Sequence, residues 1–148
     1  MLDSLDYKIL KQLTSHGRMT WSELASVLHL SAPSTAERVK RLEEKGYIKG
    51  YTAQLNYPAL GFGLTAFIAV TLSHPRYRAR FLKAVNILPE AAECHHIAGE
   101  DDYLLKVRCQ NTQHLDELLN NKLKSLPGIA RTKTTIALST LKEKEGLP

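Results

Sequence analysis

The stretch TWSELASVLHLSAPSTAERVKRLEEKG, residues 20–46, decides how the first part of this chain folds. Thr20 with Glu23 three residues on forms a capping box, in which hydroxyl and carboxylate each satisfy a backbone N–H that a helix start leaves without a partner. Leu24, Val27 and Leu28 follow at helical spacing. His29 and Leu30 break the pattern. Ser31 is a good N-cap for a second helix, and Pro33 is tolerated in its first turn because its missing N–H would be unpaired there anyway. That helix has Val39 and Leu42, with Thr35 one turn earlier, on its inner edge. It ends at Gly46, which can take the left-handed conformation past a helix end. On the neighbouring stripe lie Ser34, Arg38, Arg41 and Lys45, at i, i+4, i+7 and i+11.

A short helix held by its apolar edge on a preceding one, with a polar and cationic outer stripe, is the arrangement of a helix-turn-helix that reads the DNA major groove. Ser31, Ser34, Thr35, Glu37, Arg38, Lys40, Arg41 and Lys45 are the candidate contacts to double-stranded DNA, since hydroxyl and guanidinium groups suit phosphates and base edges. An ordinary helical hairpin with a solvated charged face shares this spacing. Capping box, turn and basic face together favour DNA.

Composition sets wider limits. The 148 residues suffice for one domain or two small ones, and a hydrophobic share of 43% is enough for a packed core. No run of about 18 uncharged apolar residues occurs, and Asp3 and Asp6 stand where a secretion signal would be basic, so neither membrane span nor leader is expected and the cytoplasm is the default. The net charge of +5 favours a polyanionic partner, yet residues 1–50 hold eight Lys/Arg against six Asp/Glu, so local placement rather than overall charge carries the DNA argument. Two cysteines, Cys94 and Cys109, are too few for a disulfide framework.

Asp3 and Asp6 open a first helix with Leu5, Ile9 and Leu13 at i, i+4 and i+8, closed by Gly17, which completes a trihelical unit. Residues 47–55 are rich in β-formers and predict a strand kinked at Gly50, leading through Asn56, Tyr57 and Pro58 into a linker. Residues 64–72 form an apolar run without a charge, a strand buried on both faces. Then Tyr77, Phe81, Val85 and Leu88 mark a helix stopped by Pro89. Residues 93–98 and 102–110 mark two strands. Thr112 caps a helix carrying Leu115, Leu118, Leu119, Leu123 and Leu126, and residues 129–141 read as a last strand. The fold class is α+β, a three-helix helix-turn-helix domain at residues 1–50, a hinge strand and linker at 51–61, and a ferredoxin-like βαββαβ sandwich at 62–148. Helices cover only one face of such a sheet. The other, with Phe67 and Ala69 on its central strand, predicts a dimer of the chain with itself.

The chain resembles the Lrp/AsnC, or feast/famine, family of prokaryotic transcriptional regulators over nearly its whole length. The residues that carry the resemblance are Leu2-Asp3-x-x-Asp6-x-x-Ile9-Leu10, Glu23-Leu24-Ala25, Leu30-Ser31, the run Arg38 to Glu43 with Gly46-Tyr47-Ile48, Leu60-Gly61, Ile97-Ala98-Gly99 with Asp102 to Val107, and Leu126-Pro127-Gly128-Ile129. The resemblance implies a winged or simple helix-turn-helix head, a hinge strand and an effector domain that dimerises through its sheets and commonly builds octamers. It also implies a free amino acid as effector, bound between dimers beside the loop that here is Gly99, Glu100, Asp101, Asp102 and Tyr103. Two positions depart from the pattern: His29 stands in the turn where the family often has Gly, and Asp101 where many members carry an aromatic residue.

Gly99 lets backbone approach a ligand, and an acidic side chain can take its ammonium group. Three consecutive acids exceed what one ammonium needs, which favours lysine or arginine over leucine as effector. Thr132 and Thr134 are the candidate donors to its carboxylate. No catalytic site is expected, because no nucleophile, triad or phosphate loop accompanies the acids. Cys94, His95, His96 and Cys109 lack the spacing of a metal site, since strand alternation sends His95 to the face opposite Cys94 and His96. No cofactor is expected beyond the possible effector. The alternative function is an effector-independent architectural protein that wraps or bridges DNA.

Overall fold

A computed structural model describes residues 1–144, 146 and 147, in two compact units: residues 1–55 with 142–144, 146 and 147, and residues 56–141.

In the first unit, three helices, α1 (Ser4–Ser15), α2 (Trp21–Leu28) and α3 (Ala32–Glu44), enclose a core of Ile9, Leu10, Leu13, Leu24, Leu28, Val39 and Leu42. Each helix begins where a side chain can cap it. Asp3 and Asp6 form a capping box on α1, Thr20 and Glu23 one on α2, and Ser31 caps α3. His29 closes α2 in the left-handed region at φ 55°, and Gly46 follows α3 at φ 72°. Two core positions differ from the expected ones. Val27 is exposed and Ala25 buried in its place, while Leu10 rather than Leu5 completes the α1 face. Residues 47–55 hold no strand. An extended segment becomes a strand only where a neighbour takes up its N–H and C=O groups, and no such neighbour lies among the described residues of the chain.

The second unit is a four-stranded antiparallel sheet in the order β2 (Ala91–His96), β3 (Tyr103–Cys109), β1 (Leu64–Leu72), β4 (Ile129–Ala137). Helix α4 (Arg78–Asn86) connects β1 to β2. Helix α5 (Thr112–Glu117), capped by Asn111 rather than Thr112, runs into a π turn over Leu118–Leu123 before β4. This is the ferredoxin-like βαββαβ order. Alternation sorts the faces. Ala66, Ile68, Val70, Tyr103, Leu105, Val107 and Cys109 point to one side and pack with Phe81, Val85, Leu115, Leu118 and Leu123 from the helices. Phe67, Ala69, Leu104, Lys106 and Arg108 point to the other, so in the single chain β1 is fully buried on one face only, with Phe67 37% exposed. β2 starts two residues earlier than its composition suggests, because pairing with Val107 reaches back to Ala91 across a bulge. β4 stops at Ala137, where β1 has no further partner to offer beyond Thr65.

Gly128 sets the entry into β4. Its φ is +87°, its carbonyl accepts from the Ser73 N–H at 2.8 Å, and an added Cβ would lie 2.1 Å from Cγ of Tyr77. Gly128→Ala therefore combines backbone strain with a clash against the root of an aromatic ring. It should lower stability by about 2–4 kcal/mol, read as a fall in the urea midpoint.

Candidate DNA-binding helix and effector loop

Thr35, Val39 and Leu42 are fully buried and fix which side of α3 faces inward. Thr35 is thus removed from the candidate DNA contacts: it packs in the core, and its hydroxyl finds no partner among the described residues. Ser31, Glu37, Lys40, Arg41 and Lys45 are exposed, and Ser34 is half-buried. Ser31 already spends its hydroxyl on the Ser34 N–H, and Lys40 lies 3.6 Å from Glu44 one turn on.

Arg38 has an internal role that its spacing does not reveal. Its Nη1 donates to Asp3 Oδ2 at 2.7 Å and to Asp6 Oδ1 at 2.8 Å, and Arg41 Nη2 reaches the same Asp6 oxygen at 3.1 Å. The Asp6 side chain is only 3% exposed, Arg38 23% and Arg41 46%. Burial pushes the Asp6 carboxyl up, but the Asp3 backbone N–H and the Arg38 guanidinium outweigh it, and the net direction is down. The Asp3–Arg38 and Asp6–Arg41 pairings escape a reading by helical spacing because the partners are 35 residues apart. The available signal was an acidic residue in register with Ile9 and Leu10 on the inner face of α1, which demands a cation from elsewhere.

In the second unit, the loop after β2 folds back on the sheet. Asp101, 9% exposed, accepts from the Thr71 hydroxyl at 2.7 Å and from Arg131 at 2.9 Å, and these two donors hold its carboxyl below the usual range. Asp102 accepts from the Leu72 N–H at 2.7 Å. Glu100 is exposed, 3.5 Å from Lys133, and Gly99 has open space around it. Tyr103 belongs to the core instead: it is buried on β3, its ring 4.8 Å from Phe81 and 5.1 Å from His96. Pairing with β1 sets the parity of β4. Arg131 and Lys133 oppose Thr71 and Ala69 and share the loop's face, whereas Thr132 and Thr134 oppose Val70 and Ile68 and turn to the helix-covered side. The cations beside the loop were missed, although counting outward from Phe67 would have found them.

A family model described as Lrp/AsnC ligand binding domain matches residues 65–147, and one described as winged helix-turn-helix DNA-binding matches residues 2–49. The chain belongs to the Lrp/AsnC family of transcriptional regulators. It is 41% identical over 144 residues to the proline dehydrogenase transcriptional activator of Rhizobium radiobacter, covering 96% of this chain and 92% of the relative. It is 38% identical to the leucine-responsive regulatory protein of Escherichia coli strain K12, covering 99% and 90%. A transcriptional regulator of Neisseria meningitidis, solved as a complex with L-methionine, superposes with a TM-score of 0.96 at 32% identity over 100% of this chain and 97% of that one. Escherichia coli AsnC does so at 0.91 and 26%, over 98% and 97%. This Lrp/AsnC regulator is therefore a DNA-binding protein with the family's ligand-binding domain, and not an enzyme. Among its described residues no helix is long and apolar enough to cross a membrane.

The Asp6 cluster makes two predictions. Arg38→Ala should cost about 2–4 kcal/mol, because it leaves a buried carboxylate with one exposed cation, while Arg41→Ala should cost about 1 kcal/mol or less; urea unfolding separates them. A carboxyl whose folded pKa is depressed stabilises fully above its unfolded pKa and loses that contribution as the pH falls through the folded value. Stability should therefore decline below about pH 4, and Asp6→Asn should reduce the difference between urea midpoints at neutral and acid pH.

Proposed function

We propose that this regulator binds specific double-stranded DNA sites through α3, with Arg41, Lys40, Lys45, Ser34 and Glu37 toward the DNA, and works in the cytoplasm as a homo-oligomer whose assembly responds to a free amino acid. The observation that carries the first part is that α3 hides its apolar edge completely and leaves those polar side chains outside. Arg38 acts mainly as a strut and Ser31 as a cap.

For the effector, the internal bonds of the loop reverse the charge argument. Asp101 and Asp102 are spent on Thr71, Arg131 and the Leu72 N–H, so only Glu100 offers an exposed carboxylate to an ammonium group. One acid suits a neutral amino acid better than lysine or arginine, in keeping with the L-methionine bound by the Neisseria regulator. Arg131 and Lys133, on the loop's face with donors to spare, replace Thr132 and Thr134 as candidate partners for its carboxylate. An architectural role without effector is the second reading, favoured by the same internal satisfaction of the loop. A thermal-shift screen of the twenty amino acids decides between them. A neutral amino acid at a hundredfold its Kd should add about 2.7 kcal/mol to the unit it binds, and Lys133→Ala should abolish the shift. No shift with any amino acid would reject the sensor.

The sheet face carrying Phe67, Ala69, Leu104 and Ala137 suits the same face of a second copy. Phe67→Asp would bury an unpaired charge there. Wild type should sediment as a dimer or a larger assembly of dimers and Phe67→Asp as a folded monomer; an unchanged sedimentation coefficient would contradict this interface.

A further inference from the structure

At the end of the sheet away from the effector loop, beside the start of β2 and the end of β3, lies a cavity of about 580 Å³, a volume typical of small-molecule sites. Phe62 and Pro89 give it an apolar side, Gln110 and Gln113 supply amides, and Glu90 and Glu117 are its acids; among the described residues no lysine or arginine lines it, although Lys122 reaches Glu90. In a chain of net charge +5, an acid-lined cavity is a local exception.

Glu90 is 7% exposed and incompletely paired. His114 Nε2 donates to its Oε1 at 3.1 Å, and Lys122 Nζ donates to the same oxygen. The tautomer follows from the other ring nitrogen: Nδ1 accepts from the Gln110 N–H at 3.2 Å, so Nε2 carries the proton. Lys122 comes into line with His114 because one α turn is followed by a wider π turn, marked by the bond from Lys124 N–H to Leu119 C=O. Both donors thus serve one oxygen. Oε2 is buried with no partner among the described residues, although a carboxylate oxygen out of water ordinarily has one. Burial pushes the Glu90 carboxyl up, yet Lys122 and His114 bring it below its usual value, so the group is an anion at neutral pH.

We propose that this cavity binds a small aliphatic amine, one ammonium donating to Glu90 Oε2 and the chain lying on Phe62 and Pro89, with Glu117 placed for the second ammonium of a short diamine. Glu90 lines the cavity, and because the terminal torsion of a glutamate is soft, the ammonium draws Oε2 from its buried position toward itself. An amino acid fits worse, because its carboxylate would meet Glu117 and Glu90, and the cation at hand, Lys122, is already paired with Glu90. The seven residues of β3 separate this site from the effector loop by roughly 20 Å, so it is independent of the amino-acid reading.

Calorimetry on the full chain with 1,4-diaminobutane tests this. Saturable binding of one molecule per chain is expected, weakened at least about tenfold by Glu90→Gln, the loss of one charge-assisted hydrogen bond. Glu117→Gln should weaken the diamine by about threefold or more and leave n-butylamine unchanged, and Lys133→Ala should not alter either. Absence of saturable binding to wild type overturns the site, as does undiminished binding to a folded Glu90→Gln protein. Should Glu90→Gln fail to fold, undiminished diamine binding to Glu117→Gln overturns it.

Discussion

The Asp6 carboxylate lies at the junction of α1 and α3, and a carboxylate taken out of water must be met by donors. It receives Arg38 and Arg41 from α3, while its second oxygen accepts from the Asp3 N–H at 3.1 Å and closes the capping box of its own helix. One side chain thereby starts α1 and ties it to the helix to which we assign the DNA-facing groups. The consequence for function is a division of labour on the cationic stripe. Arg38 is committed inward, and Arg41, half exposed with donors left over, is the guanidinium available to a phosphate or a base edge. A helix anchored this way presents its outer groups from a fixed platform, which reduces the ordering cost of binding.

The second unit manages its acids by the same rule. Asp101 and Asp102 stand in an otherwise water-facing hairpin, yet each is drawn to the end of β1, one by a hydroxyl and a guanidinium and the other by a backbone N–H. The loop is thus pinned to the central strand of the sheet whose open face we assign to the dimer. A ligand that disturbs the Arg131 contact would act on the Asp101 carboxylate that also holds Thr71 of that strand, a short physical route from effector to assembly.

Much of the fold was legible in the residues. Capping boxes at Asp3 and Thr20 mark helix starts because they satisfy groups every helix must satisfy, and β1 spans 64–72 as its apolar run predicts, being the central strand with neighbours along its whole length. The departures share one cause, a dependence on partners remote in sequence. Residues 47–55 have strand composition and no strand beside them. The π turn at Leu118–Leu123 keeps the leucine pattern of an α-helix while shifting Lys122 toward Glu90. Thr132 and Thr134 looked like loop neighbours from their chemistry, but the face each takes is decided by pairing with β1. Of the site, the exposed side of α3 could be read from its period. Which arginine was already spent could not, since that required knowing that Asp6 is buried.

The central claim is that α3 meets DNA with Arg41 while Arg38 braces the helix from within. The most direct test is the salt dependence of DNA affinity for wild type and Arg41→Ala. If Arg41 contacts a phosphate, the variant should bind more weakly and the slope of log K against log salt should become shallower by about one unit. Identical affinity and slope in the two proteins would contradict the account.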